Sequence, residues 1–370
     1  MPKYLLAVIL VSLTALSVAH AADVTVYGVA HVSLDVANND DPDPANRARL
    51  FAISSNKSRI GLRGSEALSD SVDAIWQFEN AVDLDNGGWG DGRDSYLGVS
   101  GGVGTLRAGK YVTPYRDATE RLDIFSDTRA DYNAVVGAVN GRQIFNNRAP
   151  NILVYRTPDD KRLRLALAYI SNHGGADATT DDNLPATRIA ARRTGFSSAL
   201  ILDSGPLYLS LAHESLREYP VTGGEALATK FGAAWNFGQG THVSLVWEQA
   251  RSGEQVGGKK VSRTGGYLGL EHVSGNNTWK LAYGRLNALD SQADSGADLY
   301  ALGYQRALSQ RTDFYVLYTT LHNDANGLYV LQSPDYDGGT PPGAQDLAVT
   351  PGAHPYAFVL GMVHRFSTDF

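Results

Sequence analysis

The sequence contains no cysteine, only two methionines and no surplus of positive charge. Without thiols there is no disulfide scaffold, no thiolate metal site and no cysteine nucleophile. With 32 Lys and Arg against 39 Asp and Glu the formal net charge is −7. That balance argues against a nucleic-acid partner, since phosphates need a basic surface to neutralise them. After the first twenty or so residues no window holds about 18 uninterrupted apolar residues, so no membrane-crossing helix is expected. Catalytic spacings are missing too: there is no H-E-x-x-H, no G-x-S-x-G and no phosphate-cradling glycine loop. His213-Glu214 and Glu271-His272 are sequence neighbours, so within strands each pair splits between two faces. His31 and Asp35 share a face, but no nucleophile motif accompanies them. Neither a catalytic site nor a cofactor is therefore assigned. Asp40, Asp41 and Asp43 crowd together as calcium ligands do, yet a solvated loop is the plainer explanation and no metal is assigned.

What is present is glycine (39 residues), tyrosine (19, against 11 phenylalanines) and a middling 43% hydrophobic content. At 19% charged residues the chain is too apolar for disorder and too polar for a helical membrane protein. Strands and tight turns fit this composition better than packed helices. The first residues form an address. Lys3 precedes an apolar stretch from Tyr4 to Ala19, and Ala19-His20-Ala21 is a small-x-small cleavage site. Residues 1–21 are expected to be removed on export. Residues 22–370 then read as one domain, with a charge of −8 once Lys3 is gone.

That domain alternates. From Val24 to Val36 the even positions are apolar or small, while the odd ones carry Thr25, Tyr27, His31, Ser33 and Asp35. This is the two-residue period of a strand with one greasy and one wet face. The pattern returns in Ala74-Trp76-Phe78, Leu163-Leu165-Leu167-Tyr169, Leu207-Leu209-Leu211, Val243-Leu245-Trp247, Trp279-Leu281-Tyr283 and Phe314-Val316-Tyr318. Short turn signals separate many of these segments. Longer polar stretches alternate with the turns, at 38–49, 85–93, 112–147, 172–187, 252–262 and 324–353. Short connections at one end and long ones at the other are expected of a transmembrane β-barrel. About sixteen strand-like segments can be counted, an even number as closure requires. The fold class is therefore all-β: a transmembrane, antiparallel, up-and-down β-barrel with short periplasmic turns and long outer loops. A secreted β-sandwich is disfavoured, because it rarely needs so many strands in one unbroken up-and-down order. Tyr27, Trp76, Tyr155, Trp247 and Trp279 are candidates for interfacial girdles, and Trp235 is harder to place. The last segment alternates as well, with Tyr356, Phe358, Leu360, Met362, His364, Phe366 and Phe370 on one face.

Ser58-Arg59-Ile60-Gly61-Leu62-Arg63-Gly64-Ser65-Glu66-Ala67-Leu68 resembles the second-strand signature of Gram-negative general-diffusion porins, in particular their neisserial and betaproteobacterial branch. Val24 to Gly28, Ala74 to Glu79, Tyr96 to Val99, Gly104 to Tyr111 and Asn147 to Tyr155 agree with that family in order and spacing, and Gly361 to Phe366 resembles its closing strand. The resemblance implies a sixteen-stranded homotrimeric barrel in the outer membrane, with its third loop folded into the pore. It further implies a passive, water-filled channel for small hydrophilic solutes and ions, set in outer-membrane lipid and lipopolysaccharide. The trimer contact is expected on the outer face of strands near both termini. Phe366 and Phe370 are candidates for the terminal signal read by the barrel-assembly machinery. A substrate-specific channel is the alternative; a barrel enzyme or an adhesin fits less well.

The third loop would be 112–147. From the residues alone it reads either as a solvated outer loop or as one folded inward, and the resemblance favours the second. Its candidate constriction acids are Asp117, Glu120, Asp123, Asp127 and Asp131. Facing them a basic wall is expected. Parity puts Lys57, Arg59 and Arg63 on one face of the second strand, with Ser58, Ile60 and Leu62 toward lipid, where an Arg or Lys costs about 2–4 kcal/mol near the midplane. Arg59 and Arg63 fall on the family's basic-wall positions, and motif context adds Lys110 and Arg156. Arg107 has the opposite parity to Lys110, so a bulge near Gly109 is needed if both are to face the lumen.

Overall fold

The computed structural model describes residues 23–174, 193–219, 224–332 and 347–369. The leader, Phe370 and parts of the stretches 172–187 and 324–353 lie outside the described residues. Sixteen antiparallel strands close on themselves. In chain order they are β1 (Asp23–Asn38), β2 (Arg49–Ser55 continued by Arg59–Ser69), β3 (Val72–Asp83), β4 (Gly88–Gly92 continued by Ser95–Gly101) and β5 (Gly104–Val112). A short helix, α1 (Pro114–Glu120), opens the connection to β6 (Arg148–Arg156). There follow β7 (Leu163–Ile170), β8 (Gly195–Asp203), β9 (Leu207–Arg217), β10 (Glu225–Gly238), β11 (Thr241–Val256) and β12 (Lys259–Ser274). The last four are β13 (Asn277–Leu286), β14 (Ala297–Ala307), β15 (Thr312–Asn323) and β16 (Tyr356–Ser367). Closure runs along almost the whole of β1, from Tyr27 opposite Ser367 to Asn38 opposite Tyr356. Among the described residues no strand of the barrel is left with an unpaired edge, as a strand structure in lipid demands.

Two strands are broken, and each break turns a cation into the lumen. In β2 the backbone leaves the ladder at Asn56-Lys57-Ser58, with Lys57 at φ 51°. The Ser58 hydroxyl donates to the carbonyl of His31 at 2.9 Å and accepts from the amide of His31 at 2.9 Å, so the break is tied to β1. In β4 the interruption falls at Arg93-Asp94, where the Arg93 amide donates to the Glu79 carbonyl at 2.8 Å. The stretch 85–93, expected as a polar loop, therefore holds a piece of strand. The expectation for 252–262 also needs correcting. β11 joins β12 through Gly257-Gly258 alone, both at positive φ (58° and 76°), as a two-residue hairpin turn requires. Strand ends that project past the membrane are wet on both faces, so they lose the two-residue period and look like loop.

Outside, the barrel wears an apolar belt. Phe78, Leu97, Leu211, Trp247, Leu281, Leu302 and Phe358 are all exposed. A patch of this extent is intolerable in water but is the expected surface against lipid. Trp235 and Phe237 also face out, edge to face at 6.4 Å, near the short-turn rim. Tyr27 does not belong to a girdle. Its hydroxyl donates to Glu79 at 2.8 Å, and Arg63 sits 5.3 Å over its ring, so it stands on the inner face.

Candidate pore constriction

Inside the barrel, the chain between β5 and β6 lies against the wall instead of leaving the rim. The hydroxyl of Thr113 accepts from the Arg116 amide and starts α1, which packs on β8 and β9. The residues after α1 run across the inner faces of β10 to β14, and the wall makes room for them with glycine. A Cβ on Gly232 would come within 2.7 Å of Leu122, and one on Gly303 within 2.6 Å of Phe125. Any larger side chain at either position displaces the loop, and such overpacking typically costs about 1–3 kcal/mol.

Polar anchors complete the seat. Glu248 on β11 accepts from the Gly137 amide (2.9 Å) and from the Tyr115 hydroxyl, and pairs with Arg263 of β12 at 2.6 Å. The Arg263 Nε donates to the Ala138 carbonyl at 2.7 Å. Lys230 of β10 donates to Asn146 and lies 4.1 Å over the Tyr115 ring. The Tyr208 hydroxyl donates to the Ala118 carbonyl at 2.7 Å, and the Ser244 hydroxyl to that of Leu122 at 2.8 Å. Side chains of Arg263 and Glu248 are 0% and 1% exposed. Charges so thoroughly desolvated persist only when paired and hydrogen-bonded, as these are.

The loop tip crosses to β1 and β2. Arg59 meets Asp127 at 3.2 Å; Lys57 lies 3.3 Å from Asp131 and 3.6 Å from Asp127; Arg129 of the loop meets Asp35 of β1 at 2.6 Å. Burial alone would raise the Asp127 carboxyl, but the charges of Lys57 and Arg59 outweigh it and hold Asp127 below its ordinary range. Of the other acids, Asp117 meets Arg156 at 3.0 Å, and burial keeps its carboxyl above the ordinary value despite that arginine. Glu120 pairs with Arg116 at 2.9 Å; burial opposes its charge, but Arg116 and Arg148 together hold it low. Asp123 and Asp131 chiefly shape the loop. Asp123 accepts from the amides of Phe125 (3.0 Å) and Tyr132 (3.2 Å), and burial, reinforced by Asp131, pushes its carboxyl well up. Asp131 accepts from the Asn133 amide at 2.9 Å, as well as from Lys57. Beneath the tip lies a cavity of about 710 Å³, lined among others by His31, Arg59, Phe125, Asp127, Lys280 and Arg365.

The candidate wall residues do not all meet the loop. Arg63 pairs with Asp369 at 3.0 Å near the short-turn rim. Arg107 donates to the Tyr111 hydroxyl at 2.6 Å and stacks over Tyr96 and Tyr111 at 5.0 and 4.9 Å. Among the described residues Arg107 has no carboxylate partner. Lys110 faces the other way. Its register partner is Ser95, on the same face as the outward pair Leu97 and Ala108, and it borders a concavity with Leu153 and Tyr169. The irregularity expected near Gly109 exists, but it lies in β6, where Pro150 and Asn151 together stand opposite the single residue Lys110. It therefore leaves Lys110 on the outer face, two residues from the end of β5. Phe366 covers Gly28, whose missing side chain lets the ring lie on the backbone.

Several inner-wall groups escaped the sequence pattern. Arg93 pairs with Glu79 at 2.6 Å, and Arg148 with Asp94 at 2.8 Å. Arg93 and Asp94 occupy the break in β4, where parity fails. The signal that could have found them is the surplus of arginine between residues 59 and 156.

A closed barrel with an apolar outside, a charged inside and a loop narrowing its bore defines a transmembrane channel. The chain belongs to the Gram-negative porin family, whose profile matches residues 7–326. Outer membrane porin protein 32 of Delftia acidovorans is 28% identical over 95% of this chain and 99% of its own length. Major outer membrane protein P.IB of Neisseria sicca is 34% identical over 128 residues, 33% of this chain and 36% of that protein. Among solved structures, the anion-selective porin from Comamonas acidovorans superposes with a TM-score of 0.75 at 24% identity, covering 93% of this chain and all of that one. The Vibrio cholerae OmpT superposes at 0.66 with 14% identity. The protein is thus an outer-membrane porin of a Gram-negative bacterium.

Proposed function

We propose that small hydrophilic solutes and ions cross the barrel passively between the loop edge and the wall formed by β2 to β5, with no chemical step. The loop edge contributes Asp117, Glu120 and Asp127. The wall contributes Arg59, Arg63, Arg93 and Arg107, with Lys57 at its margin and Arg156 at the start of β6's turn. Opposed charges on the two sides of a water-filled passage set up a transverse field that orients dipolar solutes, while the part-exposed charges stay hydrated. The observation that carries this reading is the internal loop's approach to the basic wall, where Asp127 meets Arg59 at 3.2 Å.

Arg107, a cation facing water with no acid opposite, favours anions over cations of equal size. The Comamonas structure is described as anion-selective, which points the same way. Three copies are expected to assemble through the outer faces of β1, β2 and β16, where Leu34, Val36, Phe51, Ile53, Phe358 and Leu360 are exposed; one solved form of the Vibrio cholerae porin is a trimer. Lipopolysaccharide and other outer-membrane lipid then cover the remaining belt. The alternating face of β16, ending at Phe366, is the segment offered to the assembly machinery.

Planar-bilayer recording of the refolded mature chain tests this. Conductance steps in groups of three, proportional to bulk salt, support an open trimeric pore. Saturation with salt, or block by one solute at low concentration, would replace it with a substrate-specific channel. In the same apparatus, Arg59→Gln is expected to raise relative cation permeability.

A further inference from the structure

Beyond β16 the backbone keeps pairing with β1 and then turns toward the lumen. The Thr368 amide donates to the Val26 carbonyl at 2.9 Å, and the Val26 amide donates to the Thr368 hydroxyl at 3.1 Å. Asp369 comes next. Both of its carboxylate oxygens lie 2.8 Å from the Thr25 hydroxyl, and one accepts from Arg63 at 3.0 Å. Thr25 and Arg63 are register partners on the inner face of β1 and β2. The three side chains therefore form a cluster on the inner rim at the short-turn end, which faces the periplasm in this family. Arg63 is held from its other side by Tyr27, whose hydroxyl is committed to Glu79. Asp369 is the only carboxylate paired with Arg63 among the described residues. Its carboxyl is held below the ordinary range by the Thr25 hydroxyl and by Arg63, so it is charged at neutral pH.

We propose that Asp369 is a selectivity-determining residue: carried on the segment after the last strand, it cancels the charge of Arg63 at the periplasmic mouth. The rim is wet, with the two side chains 53% and 49% exposed, so the pair contributes little to stability. Its effect is on the field instead. A unit charge about 10 Å from a passing ion in water changes that ion's local concentration about twofold before screening. By supplying a negative charge where β2 presents Arg63 to the exit, the segment lowers the anion preference that the wall alone would give. The chain thereby tunes its own mouth without altering the constriction.

This inference rests on the protein being a conducting pore, and its test separates the two. Wild type, Asp369→Asn, Arg63→Gln and the double variant are refolded as full mature chains, and reversal potentials are read in a salt gradient across a planar bilayer. Asp369→Asn is expected to raise the anion-to-cation permeability ratio about twofold at low salt, Arg63→Gln to lower it relative to Asp369→Asn, and the double variant to return near wild type. Asp369→Glu should keep the wild-type ratio, which guards against a merely structural effect. An unchanged ratio for Asp369→Asn in channels of normal conductance overturns the inference and leaves the pore intact. A double variant that keeps the full shift of Asp369→Asn overturns it also, because Arg63 would then not be the charge the carboxylate cancels. Folded barrels that conduct nothing would instead overturn the pore.

Discussion

The inner surface of this barrel is two surfaces. Along its middle, from β7 round to β15, it is dry: Ala166, Ala199, Tyr208, Ala234, Val246, Tyr267, Ala282, Leu299 and Leu317 are buried under the internal loop, and Arg263 and Glu248 among them are sealed as a pair. From β2 to β5 it is wetter, lined by arginines that stack on tyrosines or meet carboxylates of the loop and of the wall itself. Both arcs are the inward faces of similar strands in one sheet. The difference is residue volume and solvent. Small and apolar residues let a loop press onto the wall, whereas long cations keep it away and hold water. On the function proposed above, the long arc is a socket and the short one a filter.

The largest break in that contrast should come from the socket. Arg263→Leu strands Glu248 as an uncompensated buried charge, which typically costs about 3–5 kcal/mol. Loss of barrel stability in denaturant titrations, together with noisier and larger conductance as the loop lifts, is the expected result. Arg107→Leu, of the same residue type on the wet arc, removes stacking on two tyrosines and one hydrogen bond to the Tyr111 hydroxyl, and should cost about 1–2 kcal/mol. Equal costs for the two would dissolve the distinction between socket and filter.

A smaller effect should follow from pH, and it belongs to the filter alone. The Asp117 carboxyl lies above its ordinary range, because burial outweighs Arg156, while Asp127 lies below it. As pH falls from neutral, Asp117 takes up a proton before Asp127 does, which frees the charge of Arg156 and raises anion preference. For stability the signs are opposite. The contribution of Asp127, whose folded value is depressed, is fully present above the ordinary carboxylate range near 4 and is lost only as pH falls through its lower folded value. Ionising Asp117, whose folded value is raised, disfavours the folded loop above that range, so mild acid does not unseat it. Reversal potentials between pH 7 and 4.5 should therefore drift toward anions by about twofold or less. Asp117→Asn should flatten the drift, and a drift that survives it would assign the titration to another group.

Much of this was legible from alternation, because a barrel wall writes its two solvents into every second residue. Strand number came from counting alternating segments, and the lipid face of β1 and the inward direction of Arg59 came directly from parity. Parity failed where the backbone leaves the ladder. Lys57 reaches the lumen from an irregular break rather than a strand position, and Arg93 and Asp94 lie in another, so their partners could not be paired by counting. Nor could the socket be read in advance. Gly232 and Gly303 look like ordinary strand glycines until Leu122 and Phe125 are seen against them. Acid content alone also misjudged the loop, since Asp123 and Asp131 spend most of their hydrogen bonds on its own backbone amides.

Lys110 marks the outer limit of the filter, and the effect expected there is the smallest. Sequence motif alone placed it on the basic wall beside Arg107. In the barrel, Arg107 and Tyr111 meet on the inside, while Lys110 shares the outward face with Ala108, opposite Ser95 and Leu97. Two residues from the end of β5, its flexible stem can carry the ammonium to the water boundary, where a lysine on the lipid side costs about 0–1 kcal/mol rather than the midplane penalty. The protein wall then separates that charge from the ions in the lumen. Lys110→Gln should leave the reversal potential where it was and change stability by less than about 1 kcal/mol. Arg107→Gln, three residues earlier and facing inward, should shift the potential toward cations. If both variants moved it equally, Lys110 would face the lumen, the irregularity would have to lie in β5 instead of β6, and the wet arc would extend one residue further toward the outer rim.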